Sequence, residues 1–136
     1  LDNVIYHKTG PRIIAVLDWE LSTLGDPIAD FSYLMLNWLQ PAEGRAGLLG
    51  LNLEELGIPS VQEAVDRYVA RTGFPMPPME WYFAYNLFRA AGITQGIKKR
   101  VLDGTASSAH AKSMSDRVAP LVDAAYNFAL QAGMHE

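Results

Sequence analysis

The stretch from Met79 to Leu102 constrains this chain most. It reads as one long helix, apolar on most sides until Lys98-Lys99-Arg100. A helix that is apolar all round in its first half is expected to be buried there, with other elements packed about it. The three cations fall near its C-terminus, where the macrodipole favours them, and Gly104 supplies the stop.

What precedes that helix changes character once. Val4-Ile5-Tyr6-His7 and Ile13-Ile14-Ala15-Val16-Leu17 are short β-rich runs, and Lys8-Thr9-Gly10-Pro11 between them carries turn chemistry. The second run is apolar throughout, as in a strand covered on both faces. From Gly25-Asp26-Pro27 onward the pattern is helical, with Asp26 as N-cap and Pro27 at the first helical position. Ile28, Phe31, Met35 and Trp38 then recur at helical spacing until Gln40-Pro41. Leu53 to Leu56 suggest one turn, stopped by Gly57. Ser60 and Glu63 form a capping box ahead of the stripe Val61, Ala64, Val65, Tyr68 and Val69, which Gly73 ends. Phe74 to Pro78 is a Pro-rich link. Ser107 or Ser108 is expected to cap a last helix with the core face Met114, Val118, Leu121, Val122, Ala125 and Phe128, kinked at Pro120. The expected fold is α+β, mostly α: one domain, a hairpin followed by four or five helices.

Composition narrows the function. The 136 residues suffice for one core, and 49% are hydrophobic against 19% charged, as in a folded domain. A net charge of −4 argues against a nucleic-acid binder, which would be basic. The absence of cysteine removes disulfides, thiolate zinc sites and thiol catalysis, and suits a cytoplasmic protein. No apolar run is long enough to span a membrane, and no signal peptide is visible, so no membrane partner is expected. Leu1 enters a motif at once, which suggests that it is not a natural N-terminus.

The chemistry sits between Leu1 and Asp30. If the two β runs pair about Thr9-Gly10, Asn3 lies opposite Leu17 or Asp18, and facing Cα atoms there are about 4.5–5.5 Å apart. An amide oxygen and a carboxylate so placed are hard ligands suited to Mg²⁺, with phosphate oxygens and water completing the shell. The residue types alone equally allow Asn3 as a turn residue and Asp18 as a strand-end cap.

Leu17-Asp18-Trp19-Glu20, Gly25-Asp26-Pro27 and Asp30-Phe31 resemble the aminoglycoside phosphotransferase and choline kinase-like superfamily, which shares the protein kinase-like fold. Its members carry His-Gly-Asp-x-x-x-x-Asn before such a hairpin. The resemblance implies that Asn3 is that motif's Asn, and that its Asp, which orients the acceptor hydroxyl, falls upstream of Leu1. Catalytic residue and ATP-clasping N-lobe are thus expected outside this chain, which would be a C-terminal lobe, inactive alone. By the same resemblance Asn3 and Asp18 bind Mg²⁺ bridging the phosphates of ATP, the phosphoryl donor. Asp26 resembles the aspartate that braces the catalytic loop, a role compatible with a helix N-cap. Glu20 is either a group that tunes the metal site or a solvated carboxylate. Asp30 needs no more than the helix N-terminus to explain it. Asn86-Leu87-Phe88-Arg89 and Asp103-Gly104-Thr105-Ala106-Ser107-Ser108 look most like kinase-like domains associated with acyl-CoA dehydrogenases, which implies a hydroxyacyl-CoA acceptor. An aminoglycoside-like small-molecule alcohol is the other acceptor class.

Remaining signals are weaker. His7, His110 and His135 lack metal-site spacing. Gly44, Gly47 and Gly50 suit a flexible connection rather than a phosphate loop. Trp81, Tyr82, Phe83 and Tyr85 read as core before acceptor pocket. Arg89, mid-helix, needs a partner if buried; an internal carboxylate is expected ahead of an anionic acceptor. The reading from a different class is a non-catalytic helical binding domain that keeps the scaffold without turnover. Severing a lobe at its active site exposes apolar surface, so self-association is expected as well.

Overall fold

The computed structural model describes residues 3–20, 22–42, 47–108 and 110–135. Leu1 and Gly44 lie outside them. The fold is a two-stranded hairpin followed by five helices. Strands β1 (Val4–Tyr6) and β2 (Ile13–Val16) pair antiparallel in the register Val4↔Val16, Ile5↔Ala15 and Tyr6↔Ile13, with a bulge that skips Ile14. His7 closes the turn: its N–H donates to the Arg12 carbonyl at 2.8 Å, and its Nδ1 accepts the Thr9 N–H at 3.3 Å. The β2 run is not covered on both faces. Ile13, Ile14 and Val16 are each more than half exposed, because no further strand joins the pair among the described residues.

Helix α1 (Pro27–Leu39) begins as its sequence dictates, with the Asp26 carboxylate accepting the Ile28 N–H at 2.8 Å and Pro27 in the first turn. It buries Ile28, Ser32, Met35 and Leu36. Phe31 and Trp38 are half-buried. Phe31 stacks on Tyr68 at 4.1 Å, and the Trp38 indole donates to the Pro59 carbonyl at 2.8 Å. After α1 the chain doubles back through a bridge between Pro41 and Leu49. A side chain on Gly47 would collide with the Pro41 carbonyl, so this glycine permits a close backbone approach rather than mere flexibility. Helix α2 (Val61–Thr72) shows the capping box in full and ends on Gly73 at φ +74°.

Helix α3 (Glu80–Leu102) is the axis of the fold and buries Phe83, Asn86, Leu87, Ala91 and Thr94. At its end Lys99 pairs with Asp103 at 2.6 Å. The last helix is two: α4 (Ala111–Ser115) and α5 (Val118–Gln131). The expected kink at Pro120 is replaced by this break before it. A proline inside a continuous helix removes one backbone hydrogen bond and crowds the carbonyl four residues back. Once α5 starts at Val118, Pro120 sits in its first turn, where the missing N–H costs no hydrogen bond. Ser108 does not cap a helix directly; its hydroxyl accepts the His110 N–H in the turn ahead of α4.

The core joins Met35 and Leu36 of α1, Phe83, Leu87 and Ala91 of α3, and Leu121 and Ala125 of α5. Beside it runs a buried polar link. The Asn86 Nδ2 donates to the Ala29 carbonyl at 2.9 Å and to the Ser32 hydroxyl at 2.8 Å. It locks α3 onto the first turns of α1. On the other side of α3, Trp81, Tyr85, Phe88, Val122 and Met134 line an open apolar groove of about 580 Å³ against α5.

Candidate metal and phosphate site

The hairpin register, continued by one pair, sets Asn3 opposite Leu17, and the Leu17 N–H donates to the Asn3 carbonyl at 2.8 Å. The next residue, Asp18, has φ +57°; it is the one non-glycine residue with positive φ among those described. Left-handed backbone costs an L-residue roughly 1–2 kcal/mol, and Asp bears it better than most because its short side chain bonds locally. Here it does: the Asp18 Oδ2 accepts the Asn3 Nδ2–H at 3.2 Å. The two sequence-predicted ligands thus converge at the open end of the hairpin, held by a backbone conformation typical of functional loops.

The donor set fits a hard cation. Asp18 offers a carboxylate, and a half-turn of the Asn3 amide exchanges its nitrogen for Oδ1 beside it. Among the described residues no group of three or more His, Cys, Asp or Glu could hold a metal. Mg²⁺ usually keeps several waters and is bound through one or two carboxylates together with substrate phosphates, a ligand set to which this pair can contribute.

The described residues from Leu17 to Asp26 are all exposed, and Trp19 is 67% so. Within this loop the Ser22 N–H donates to the Trp19 carbonyl at 2.9 Å. Glu20 is exposed and makes no hydrogen bond or ion pair with another described residue. Asp26 caps α1 with Oδ1, and its Oδ2 accepts the Tyr82 hydroxyl at 2.9 Å. That bond, together with burial and the negative charge of Asp26, raises the Tyr82 pKa above its ordinary value. Asp30 is exposed in the first turn of α1.

Arg89 corrects an expectation. It is exposed, and the one ion pair among the described residues is Lys99–Asp103, so no internal carboxylate holds it. Its guanidinium lies over the Tyr33 ring, 5.1 Å from the centroid. The aromatic run divides in the same way. Phe83 is core, whereas Trp81 and Tyr85 stack on each other at the surface, 5.6 Å apart. Sequence reasoning passed over Tyr82 as a partner of Asp26 and Asn86 as the α1–α3 link. An Asn inside an apolar helix was the available signal for the second, since a buried amide must find partners.

The chain is similar to known proteins over most of its length. The family model described as "Phosphotransferase enzyme family" matches residues 1–82. Acyl-CoA dehydrogenase family member 10 of Mus musculus is 41% identical over 137 residues, covering 98% of this chain and 13% of the relative. Acyl-CoA dehydrogenase family member 11 of Homo sapiens is 36% identical over 125 residues, covering 90% of this chain and 16% of the relative. A crystal structure provisionally described as an aminoglycoside phosphotransferase of Ralstonia eutropha JMP134 superposes with a TM-score of 0.87 at 46% identity. It covers 96% of this chain and 40% of that one. The chain therefore spans less than half of the solved relative and under a fifth of these curated ones. No described helix is long and apolar enough to cross a membrane. Hairpin and helices together have the fold of a kinase-like C-lobe, and the chain belongs to the phosphotransferase enzyme family.

Proposed function

We propose that this chain is the C-terminal lobe of a longer, Mg²⁺-dependent phosphotransferase that moves a phosphoryl group from ATP to a hydroxyl of a small molecule. The observation that carries the reading is the Asn3–Asp18 convergence, with Asp18 held at positive φ. Asn3 and Asp18 would hold the cation through their oxygens. When bound there, Mg²⁺ supplies neutralisation of the charge that develops on the transferred phosphoryl group. Asp26 fixes the start of α1 and keeps its remaining lone pairs toward solvent, where an adjoining catalytic loop can donate to them. The aspartate that orients the acceptor would be supplied by the longer parent; this chain spans less than half of its solved relative.

For the acceptor, a hydroxyacyl-CoA ester is favoured over an aminoglycoside. The curated relatives are named as acyl-CoA dehydrogenase family members, and Arg89 is an exposed cation without a carboxylate partner among the described residues. A polyanionic ester suits a cation of that kind, and a cationic aminoglycoside does not.

The test is calorimetry of Mg-ATP binding to the full-length parent and to its Asp18→Ala variant. Binding that requires Mg²⁺ and disappears in the variant is the expected result. A folded parent that ignores Mg-ATP would leave the kinase likeness as scaffold alone and make the chain a helical binding domain.

A further inference from the structure

Asp18 hangs on a loop with little packing of its own. At its upstream end the loop is fastened by the hairpin, through the Leu17 N–H on the Asn3 carbonyl. At its downstream end it is fastened where α1 begins, at Asp26. Between these points the described residues are exposed and contribute the single Ser22–Trp19 backbone bond. Asp18 is held on its hairpin side by the Asn3 amide as well, and the downstream end of its loop is held at Asp26.

Asp26 is held from both sides. One carboxylate oxygen accepts the Ile28 N–H, a local bond that any capped helix makes. The other accepts the Tyr82 hydroxyl, from a residue 56 positions away in sequence. Tyr82 stands in the first turn of α3, the helix against which α1, α4 and α5 pack and which is locked to α1 one turn further on by Asn86. Two bonds on two oxygens fix the carboxylate in direction as well as in place, and the second ties it to the helix at the centre of the packing.

We infer that Tyr82 is a positioning residue for the metal site: its hydroxyl orients the Asp26 carboxylate and thereby fixes the loop that presents Asp18. The inference rests on the phosphotransferase reading and assigns it a residue outside the family's motif segment, since Tyr82 lies on α3. A side chain that only fills space does so with its ring, so Tyr82→Phe isolates the hydroxyl.

The experiment compares Tyr82→Phe with the wild type in the full-length parent. Tyr85→Phe, which loses a hydroxyl from the same helix without touching Asp26, is the control. Two quantities are read. The first is hydrogen exchange of the Ser22 and Ile28 amides in metal-free protein. The second is the Mg²⁺ concentration that half-saturates ATP binding. The expected result for Tyr82→Phe is faster exchange at both amides and a half-saturation point raised roughly five- to tenfold, the scale of losing one ordinary solvent-exposed hydrogen bond. Tyr85→Phe should move neither. Unchanged exchange and unchanged Mg²⁺ dependence in Tyr82→Phe would overturn the inference, whatever happens to the melting temperature. Should Tyr82→Phe fail to fold, Asp26→Asn keeps the helix cap while weakening the acceptor for Tyr82, and must give the same two shifts. Asp18→Ala separates the two levels of the argument. If it leaves Mg-ATP binding intact, the phosphotransferase reading itself fails. If it abolishes binding while Tyr82→Phe behaves as wild type, only the positioning role fails.

Discussion

Asp18 makes a prediction that inverts a common rule. Alanine ordinarily stabilises a chain relative to glycine, because glycine has more freedom to lose on folding, by about 0.4–1 kcal/mol at a compatible site. At φ +57° the site is not compatible. Alanine there carries the left-handed cost of roughly 1–2 kcal/mol with no side-chain bond to offset it, whereas glycine adopts the conformation freely. Both variants lose the bond to Asn3 equally, so it cancels from the comparison. Asp18→Gly should therefore be more stable than Asp18→Ala by about 1 kcal/mol, despite its larger unfolded-state entropy. For a chain of 136 residues that corresponds to about 4 °C in melting temperature. Thermal unfolding of the two variants followed by circular dichroism measures the difference directly. Equal melting temperatures, or a more stable alanine variant, would refute the claim that the fold holds Asp18 in left-handed backbone. Neither variant should bind Mg-ATP in the full-length parent, so the comparison also separates the stability of the loop from its use.

Other expectations follow from the helices and the surface. Leu87, 2% exposed at the centre of the core, should cost about 2–5 kcal/mol when cut to alanine, read as a lower urea midpoint at unchanged slope. Glu63 has its pKa lowered below 4.5 by the Ser60 N–H first and then the Ser60 hydroxyl. Its contribution is thus present above pH 4.5 and lost as pH falls through the lower folded value. Glu63→Gln should flatten that part of the acid limb of a stability-against-pH curve. Trp81 and Phe88, 58% and 72% exposed along the α3–α5 groove, should drive self-association of the isolated chain. Sedimentation at rising concentration should show it, and Phe88→Glu should weaken it; a clean monomer at high concentration would refute the idea.

Local chemistry was the legible part of this sequence. The capping box of α2, the Asp26-Pro27 start of α1 and the glycine stop after α2 are each decided within four residues, and each stands where expected. The Asn3–Asp18 convergence was legible too, because hairpin register follows from turn position. Features settled by distant partners were not. The exposure of Ile13, Ile14 and Val16 depends on what else joins the sheet, and an apolar run reads alike with or without a cover. The cation–π seat of Arg89 needed Tyr33 from another helix. The left-handed backbone of Asp18 leaves no pattern in the sequence, since Asp adopts ordinary conformations far more often.

Helices α1, α4 and α5 each pack on α3, while the strands of the hairpin pack chiefly on each other. The residues that would hold the cation are therefore borne by a part of the chain that adds little to the hydrophobic core. In evolutionary terms, this decouples inheritance of the scaffold from inheritance of its chemistry. A lineage can lose Asn3 without touching the helical core, or replace Asp18 by glycine and shed its backbone strain, while keeping a well-folded helical body. Selection for solubility or abundance would never notice such a loss; only selection for turnover would. Within this family, helical sequence similarity should thus persist through members that have ceased to be enzymes, and the residue at position 18 is the one to inspect first.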